Sequence, residues 1–287
     1  MTNGLLQMRK LTKADYSKLT AMDTGIEDDY VVRIFDNLLE SKEHALYGLF
    51  DDEKMLTIAG YSIFANHFAM LGRLRSDRRY LARGNATTLL LKMIEDLKAD
   101  PNIFWIGANT EVHNGPARRV LTKIGLPADP PSYPVKLQES MKIQGKPGPL
   151  WQAINEREEK RKLLLSLQEN ALRMFPYECY YPFPFHESLF SNDYLDESTF
   201  YANDDKSRFF MMKEDQKGNL YAHMAYFWND HFEQPGLWDT VNQALESSFT
   251  EHQLWIDVSK QAYPVFAQQE EIFDIQKPWM LHGIWAK

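Results

Sequence analysis

The chain reads as a mixed α/β protein: a central sheet flanked by helices, followed by a second α+β domain. Three observations predict this. Short apolar runs bounded by polar turns alternate with segments whose apolar residues recur at helical spacing. At residues 71–97 an apolar run passes through a small-residue turn into an amphipathic helix. A proline- and glycine-rich stretch at 127–149 then separates two portions of the 287 residues, each of ordinary domain size. Domains are expected at 1–140 and 141–287.

In order, residues 6–11 alternate weakly and open as a strand. Thr12 and Asp15 mark a helix start. A second helix begins at Asp28-Asp29-Tyr30, with Val31, Ile34, Phe35, Leu38 and Leu39 on one face. Residues 45–50 and 55–64 form a hairpin around the polar turn 51–54. A strand from Phe68 leads to the small-residue turn. Ala86, Leu89, Leu90, Met93, Ile94 and Leu97 then trace one helical face. Residues 103–108 are a buried strand. Asn114-Gly115-Pro116 starts a helix that runs through Val120, Leu121 and Ile124 and stops at Gly125.

Residues 127–149 read as a linker and 156–172 as a charged helix. A hairpin (208–212 with 220–227), a helix opened by Gly236, a strand at 254–258, a helix at 262–269 and closing strands to Trp285 follow. This succession repeats that of the first half without its arginine-rich turn. It is either a degenerate second copy of the same plan or an unrelated α+β domain of similar size.

A hydrophobic content of 44%, a charged content of 25% and a net charge of −8 describe a globular protein that does not bind nucleic acid generally. The single cysteine, Cys179, permits no intrachain disulfide. No run approaches the ~20 apolar residues that cross a bilayer. No signal peptide is read at the N-terminus, so the expected location is the cytoplasm, without membrane association. His223, His231, His252 and His282 lack metal-ligand spacing, so no metal site is expected. Cys179 and His186 flank an aromatic run, and buried packing is the simpler reading of that pair. The tryptophans of the second half read as core.

The turn at 81–87 carries the chemistry. A helix N-terminus gathers unpaired N–H groups and partial positive charge. Small residues let an anion approach them closely. Arg73, Arg75, Arg78, Arg79 and Arg83 cluster there in an otherwise acidic chain, which makes a phosphate-bearing ligand the first candidate.

Leu81-Ala82-Arg83-Gly84-Asn85-Ala86 resembles the phosphate turn Arg/Gln-x-x-Gly-x-Gly/Ala of the GNAT-type N-acetyltransferases, departing at Leu81. Residues 114–126 are similar to that family's second motif, Asn-x-x-Ala-x-x-Leu-Tyr-x-x-x-Gly-Phe, with Thr122 in place of the tyrosine. The resemblance spans residues 5–140. It implies acetyl-CoA as acyl donor and a primary amine of a small molecule or peptide as acceptor, joined by direct attack in a ternary complex. Gly84, Asn85, Ala86 and Thr87, with Arg83, would bind the pyrophosphate through backbone N–H groups. Arg78 and Arg79 would add side-chain contacts. Leu74, Arg75 and Ser76 would pair with the pantetheine arm, and Asn114 would lie beside it.

For the base, no glutamate lies in the fourth strand, so Glu111 and His113 at the end of the fifth are the candidates. The family's thiolate-protonating tyrosine is absent. Thr122, a poor proton donor, or Tyr133 would have to serve. These departures keep open a non-catalytic acyl-CoA-binding module or a protein-interaction module.

Overall fold

The computed structural model describes residues 6–81, 84–138, 142–168 and 170–287. The chain forms two compact units. The first comprises Met1–Thr110, Asn114–Ala128 and His282–Lys287. The second comprises Glu111–His113 and Asp129–Leu281.

In the first unit, β1 (Gln7–Lys10) is followed by the short helices α1 (Tyr16–Thr20), α2 (Tyr30–Arg33) and α3 (Phe35–Glu40). Strands β2 (His44–Asp51), β3 (Lys54–Phe64) and β4 (Phe68–Ser76) form an antiparallel meander. Helix α4 (Asn85–Ala99) crosses to β5 (Trp105–Glu111), and α5 (Gly115–Lys123) follows. The strand order is β1-β2-β3-β4-β5, with β4 and β5 parallel. Alternation along the strands sends neighbours to opposite faces. Leu49, Ala59 and Ala69 pack with Leu89, Leu90, Met93 and Ile94 of α4. Phe50 and Ile58 pack with Leu19, Val31, Phe35 and Leu38 of α1 to α3.

Two irregularities shape this sheet. The β3/β4 register slips between Ile58↔Arg75 and Gly60↔Gly72. Arg73 and Leu74 therefore oppose Ala59 alone, and Arg73 takes φ +57°. This is a β-bulge, which bends the strand and leaves backbone groups outside the ladder. In addition, β4 and β5 pair only as Phe68↔Trp105, Ala69↔Ile106 and Met70↔Gly107. Beyond these pairs the two strands part.

The second unit begins with β6 (Ser132–Leu137), β7 (Gln152–Ile154), α6 (Arg157–Leu165), the hairpin β8 (Phe175–Glu178) and β9 (Tyr181–Phe183), α7 (Asn192–Asp196) and β10 (Ser198–Ala202). Strands β11 (Phe209–Lys217) and β12 (Asn219–Ala225), α8 (Leu237–Ser248), β13 (Gln253–Ser259), α9 (Tyr263–Ala267), β14 (Phe273–Ile275) and β15 (Trp279–Trp285) complete it, the last strand ending in the first unit. Its order is β6-β13-β12-β11-β10-β7, and β12 runs parallel to β13. Hairpin, helix and parallel strand thus recur as in the first unit.

Three sequence expectations need correction. Residues 132–137 lie inside the expected linker yet form β6, paired with β13 from Ser132↔Ser259 to Lys136↔Trp255. The division therefore falls at Asp129 rather than 140, and His282–Lys287 returns to the first unit. The charged helix ends at Leu165, capped at Ser166, rather than at 172. Among the described residues, no helix is long and apolar enough to cross a membrane.

Candidate active site

Where β4 and β5 part, the first unit holds a cleft of about 830 Å³, within the range of small-molecule sites. Its walls are the bulged end of β4, the end of β5, the N-terminus of α4 and one face of α5.

The α4 end of the cleft presents the head of a helix. Gly84 is its N-cap, with φ +79°, and no side chain caps the helix. The first turn carries no acidic residue. Among the described residues, a Cβ built on Gly84 meets nothing within 4 Å. Gly84, Asn85, Ala86 and Thr87 all line the cleft. Asn85 is itself buried, and its Nδ2 donates to Tyr80 O at 3.3 Å. Ala82 and Arg83 lie outside the described residues, so the expected Arg83 contact does too.

Leu74, Arg75 and Ser76 also line the cleft. The Ser76 hydroxyl is 2.9 Å from that of Thr57, which donates to Arg75 O at 2.7 Å. The Arg75 guanidinium makes two bonds to Asp29, 2.6 and 2.8 Å long, and lies over the Tyr30 ring. Both partners are nearly buried, at 12% and 6% side-chain exposure. Asp29 also accepts from Val31 N at 2.9 Å as the cap of α2. Although burial opposes ionisation, the Arg75 and Val31 bonds hold the Asp29 carboxyl below its ordinary range. The end of β4 is therefore anchored through a charged pair.

Asn114 lines the cleft as the cap of α5, accepting from Ala117 N at 3.2 Å. Other expected residues fall elsewhere. Arg78 donates its backbone N–H to Asp23 O at 2.7 Å, and its guanidinium occupies the space beside Gly25. Arg79 is held by Asp77 and by Ala21 O. Neither side chain is among the cleft's lining residues. Thr122 is exposed on α5, and its neighbours Val120, Leu121 and Lys123 line the cleft instead. The described lining along β5 ends at Thr110. Glu111 lies 3.5 Å from the exposed Lys277, and His113 is exposed in the following turn. Tyr133 lies on β6, stacked on Tyr263 at 4.3 Å. Cys179 is buried, and burial pushes its thiol well up, which leaves it inert.

Among the lining residues given no role in the sequence reading are the polar Tyr80, Asn109, Thr110, Arg119 and Lys123. The last two were legible in principle. Pro116, Arg119 and Lys123 lie three and four apart, which places them on one helical face.

No protein-family model matches the chain, and no curated protein does. Solved structures match its full length. The GCN5-related N-acetyltransferase from Sphaerobacter thermophilus superposes with a TM-score of 0.57 at 10% identity, covering 98% of this chain and 96% of that one. A putative acetyltransferase from Pyrococcus horikoshii superposes with a TM-score of 0.53 at 10% identity, covering 100% and 91%. The parted strands, the strand bulge and the glycine-capped helix thus belong to a chain with the fold of the GNAT-type N-acetyltransferases.

Proposed function

We propose that the chain is an acetyl-CoA-dependent N-acetyltransferase whose first unit binds the donor and whose acceptor is a primary amine of a small molecule or peptide. The observation that carries this reading is the cleft itself. An uncapped helix N-terminus without first-turn acid opens onto the gap between parting parallel strands. The donor set fits a diphosphate: backbone N–H groups of Asn85, Ala86 and Thr87 point along the helix dipole. Arg119 and Lys123 stand on the facing wall of the cleft. The pantetheine arm would lie along Leu74 to Ser76.

When bound, acetyl-CoA supplies a thioester carbonyl open to attack by an amine. The chain's own part is to hold that carbonyl against backbone N–H groups of the β4 bulge, which lie outside the β3 ladder and face developing oxyanion charge. Tyr80 brings a phenol to the cleft and is the group proposed to return a proton to the departing thiolate. The proton lost by the amine passes to water.

A second reading keeps one specific support. No Asp, Glu, His or Cys is among the described lining residues, as a non-catalytic acyl-CoA binder would have it. Calorimetry with acetyl-CoA, paired with thiol release in an amine panel, separates the two. Binding with turnover of at least one amine supports the transferase. Binding without turnover across polyamines, amino acids and peptide N-termini rejects it in favour of the binder, and absence of binding rejects both.

A further inference from the structure

Helix α8 occupies in the second unit the place that α4 occupies in the first: it follows an antiparallel hairpin and precedes a parallel strand. It also begins alike. Gly236 is the N-cap with φ +73°, and no side chain caps the helix. Here, however, the opening is filled by the chain itself. Gly236 N donates to Lys146 O at 2.9 Å. Trp151 N donates to Thr240 Oγ1 at 2.9 Å, and Trp151 Nε1 to Pro235 O at 2.9 Å. Asn242 accepts from Ile143 N at 3.2 Å and donates to Ile143 O at 2.8 Å.

The packing is as tight as the hydrogen bonding. A Cβ on Gly236 would sit 2.0 Å from Pro149 O, and one on Gly148 would sit 2.7 Å from Gly236 N. Both glycines are therefore required by close backbone approach, Gly236 also by its left-handed φ. Asp239 in the first turn already supplies the negative charge that the helix dipole favours there. It accepts from Gly148 N at 3.3 Å and would repel a phosphate.

We infer that segment 143–151 is a built-in occupant of the second unit's helix N-terminus, so that the chain binds one acyl-CoA and not two. This deepens the proposed function and rests on it for the identity of the ligand. The closure itself rests only on the second unit's geometry.

Two measurements on the full chain test it. Calorimetric titration with coenzyme A is expected to give one site per chain, and folded Gly84→Asp is expected to show none. Two sites, or a residual event in folded Gly84→Asp, would overturn the inference. Amide hydrogen exchange without ligand is expected to show Gly236 and Trp151 protected at least about a hundredfold over an open loop. Exchange at loop rates would also overturn it. Protected amides with no coenzyme A binding at all would sink the acyl-CoA reading while sustaining the closure.

Discussion

The two hairpin–helix–strand stretches of this molecule start from the same plan and end differently. In the first unit β4 is bulged against β3, and its pairing with β5 stops after Met70↔Gly107. In the second, β11 and β12 keep one register from Met211↔Ala225 to Lys217↔Asn219. The glycine at the head of α4 faces open space, whereas the one at the head of α8 meets Pro149. A cleft thus opens where strand pairing is interrupted, and a helix that begins in the same way is closed where the chain itself supplies partners at its head. Interruption has to be held in place. In the first unit the holder is the Arg75–Asp29 pair, which ties the end of β4 to α2.

The sharpest way to break this comparison is to remove that anchor. Asp29→Ala leaves Arg75 buried without its counter-charge and removes the cap of α2. The expected loss is about 3–5 kcal/mol, read as a lower urea midpoint. In the surviving folded fraction, coenzyme A affinity should fall as well. Unchanged affinity would mean that the bulge holds the cleft open unaided.

The glycine caps give the next contrast. Gly84→Ala meets only backbone strain, about 1–2 kcal/mol. Gly236→Ala adds a collision with Pro149 O, and overpacking adds about 1–3 kcal/mol more. Gly236→Ala should therefore lower the melting temperature further than Gly84→Ala. Equal shifts would remove the distinction drawn between an open and a filled helix N-terminus.

Acid should also distinguish the units. In the second, His231 is buried against the rings of Tyr226 and Phe266, and burial pushes its imidazole down to about 4. The unfolded chain then binds a proton that the folded one refuses. Stability from this site is present above pH ~6.5, falls as pH drops toward 4, and at pH 5 is reduced by about 2 kcal/mol. In the first unit, hydrogen bonding to Arg9 holds the Asp15 carboxyl at about 2. Its contribution is present above pH ~3.9 and is lost only as pH falls toward 2. Between pH 7 and 5, amides of α8 and β13 should lose protection before those of β3. His231→Gln should abolish that difference, and its persistence would assign the acid sensitivity elsewhere.

Much of this was legible in the sequence because the first unit obeys local rules. Residues 89–97 show the α4 face, Gly84 its start, and Asn114-Gly115-Pro116 the start of α5. The turn at 81–87 identified one wall of the cleft. Other features lay beyond local rules. β6 was hidden because Pro134 reads as loop, and only its long-range pairing with β13 makes 132–137 a strand. Arg78 and Arg79 looked like ligand contacts because charge alone does not reveal that Asp23, Asp77 and the space beside Gly25 receive them. The Arg75–Asp29 pair joins residues 46 apart, a separation at which no spacing rule operates. The occupant of the α8 N-terminus lies in a stretch that composition alone marks as a linker.

The smallest expected effect concerns the cations of α5. Arg119 and Lys123 lie on the cleft wall facing α4, and the second unit offers no counterpart because α9 carries no basic residue. If they meet phosphate oxygens at an exposed rim, each is worth about 0.5–1.5 kcal/mol, a two- to tenfold change in affinity. Arg119→Ala and Lys123→Ala should each weaken coenzyme A by that factor at low salt and less at high salt, because rim charges are screened. Their double variant should be close to additive, since the residues touch separate parts of an extended ligand. Dephospho-coenzyme A sharpens the reading. A side chain that contacts the 3′-phosphate should lose its effect with that ligand, whereas one that contacts the diphosphate should keep it. If neither variant changes affinity for either ligand at any salt concentration, the anion is held by the α4 backbone alone, and the basic face of α5 has no part in binding.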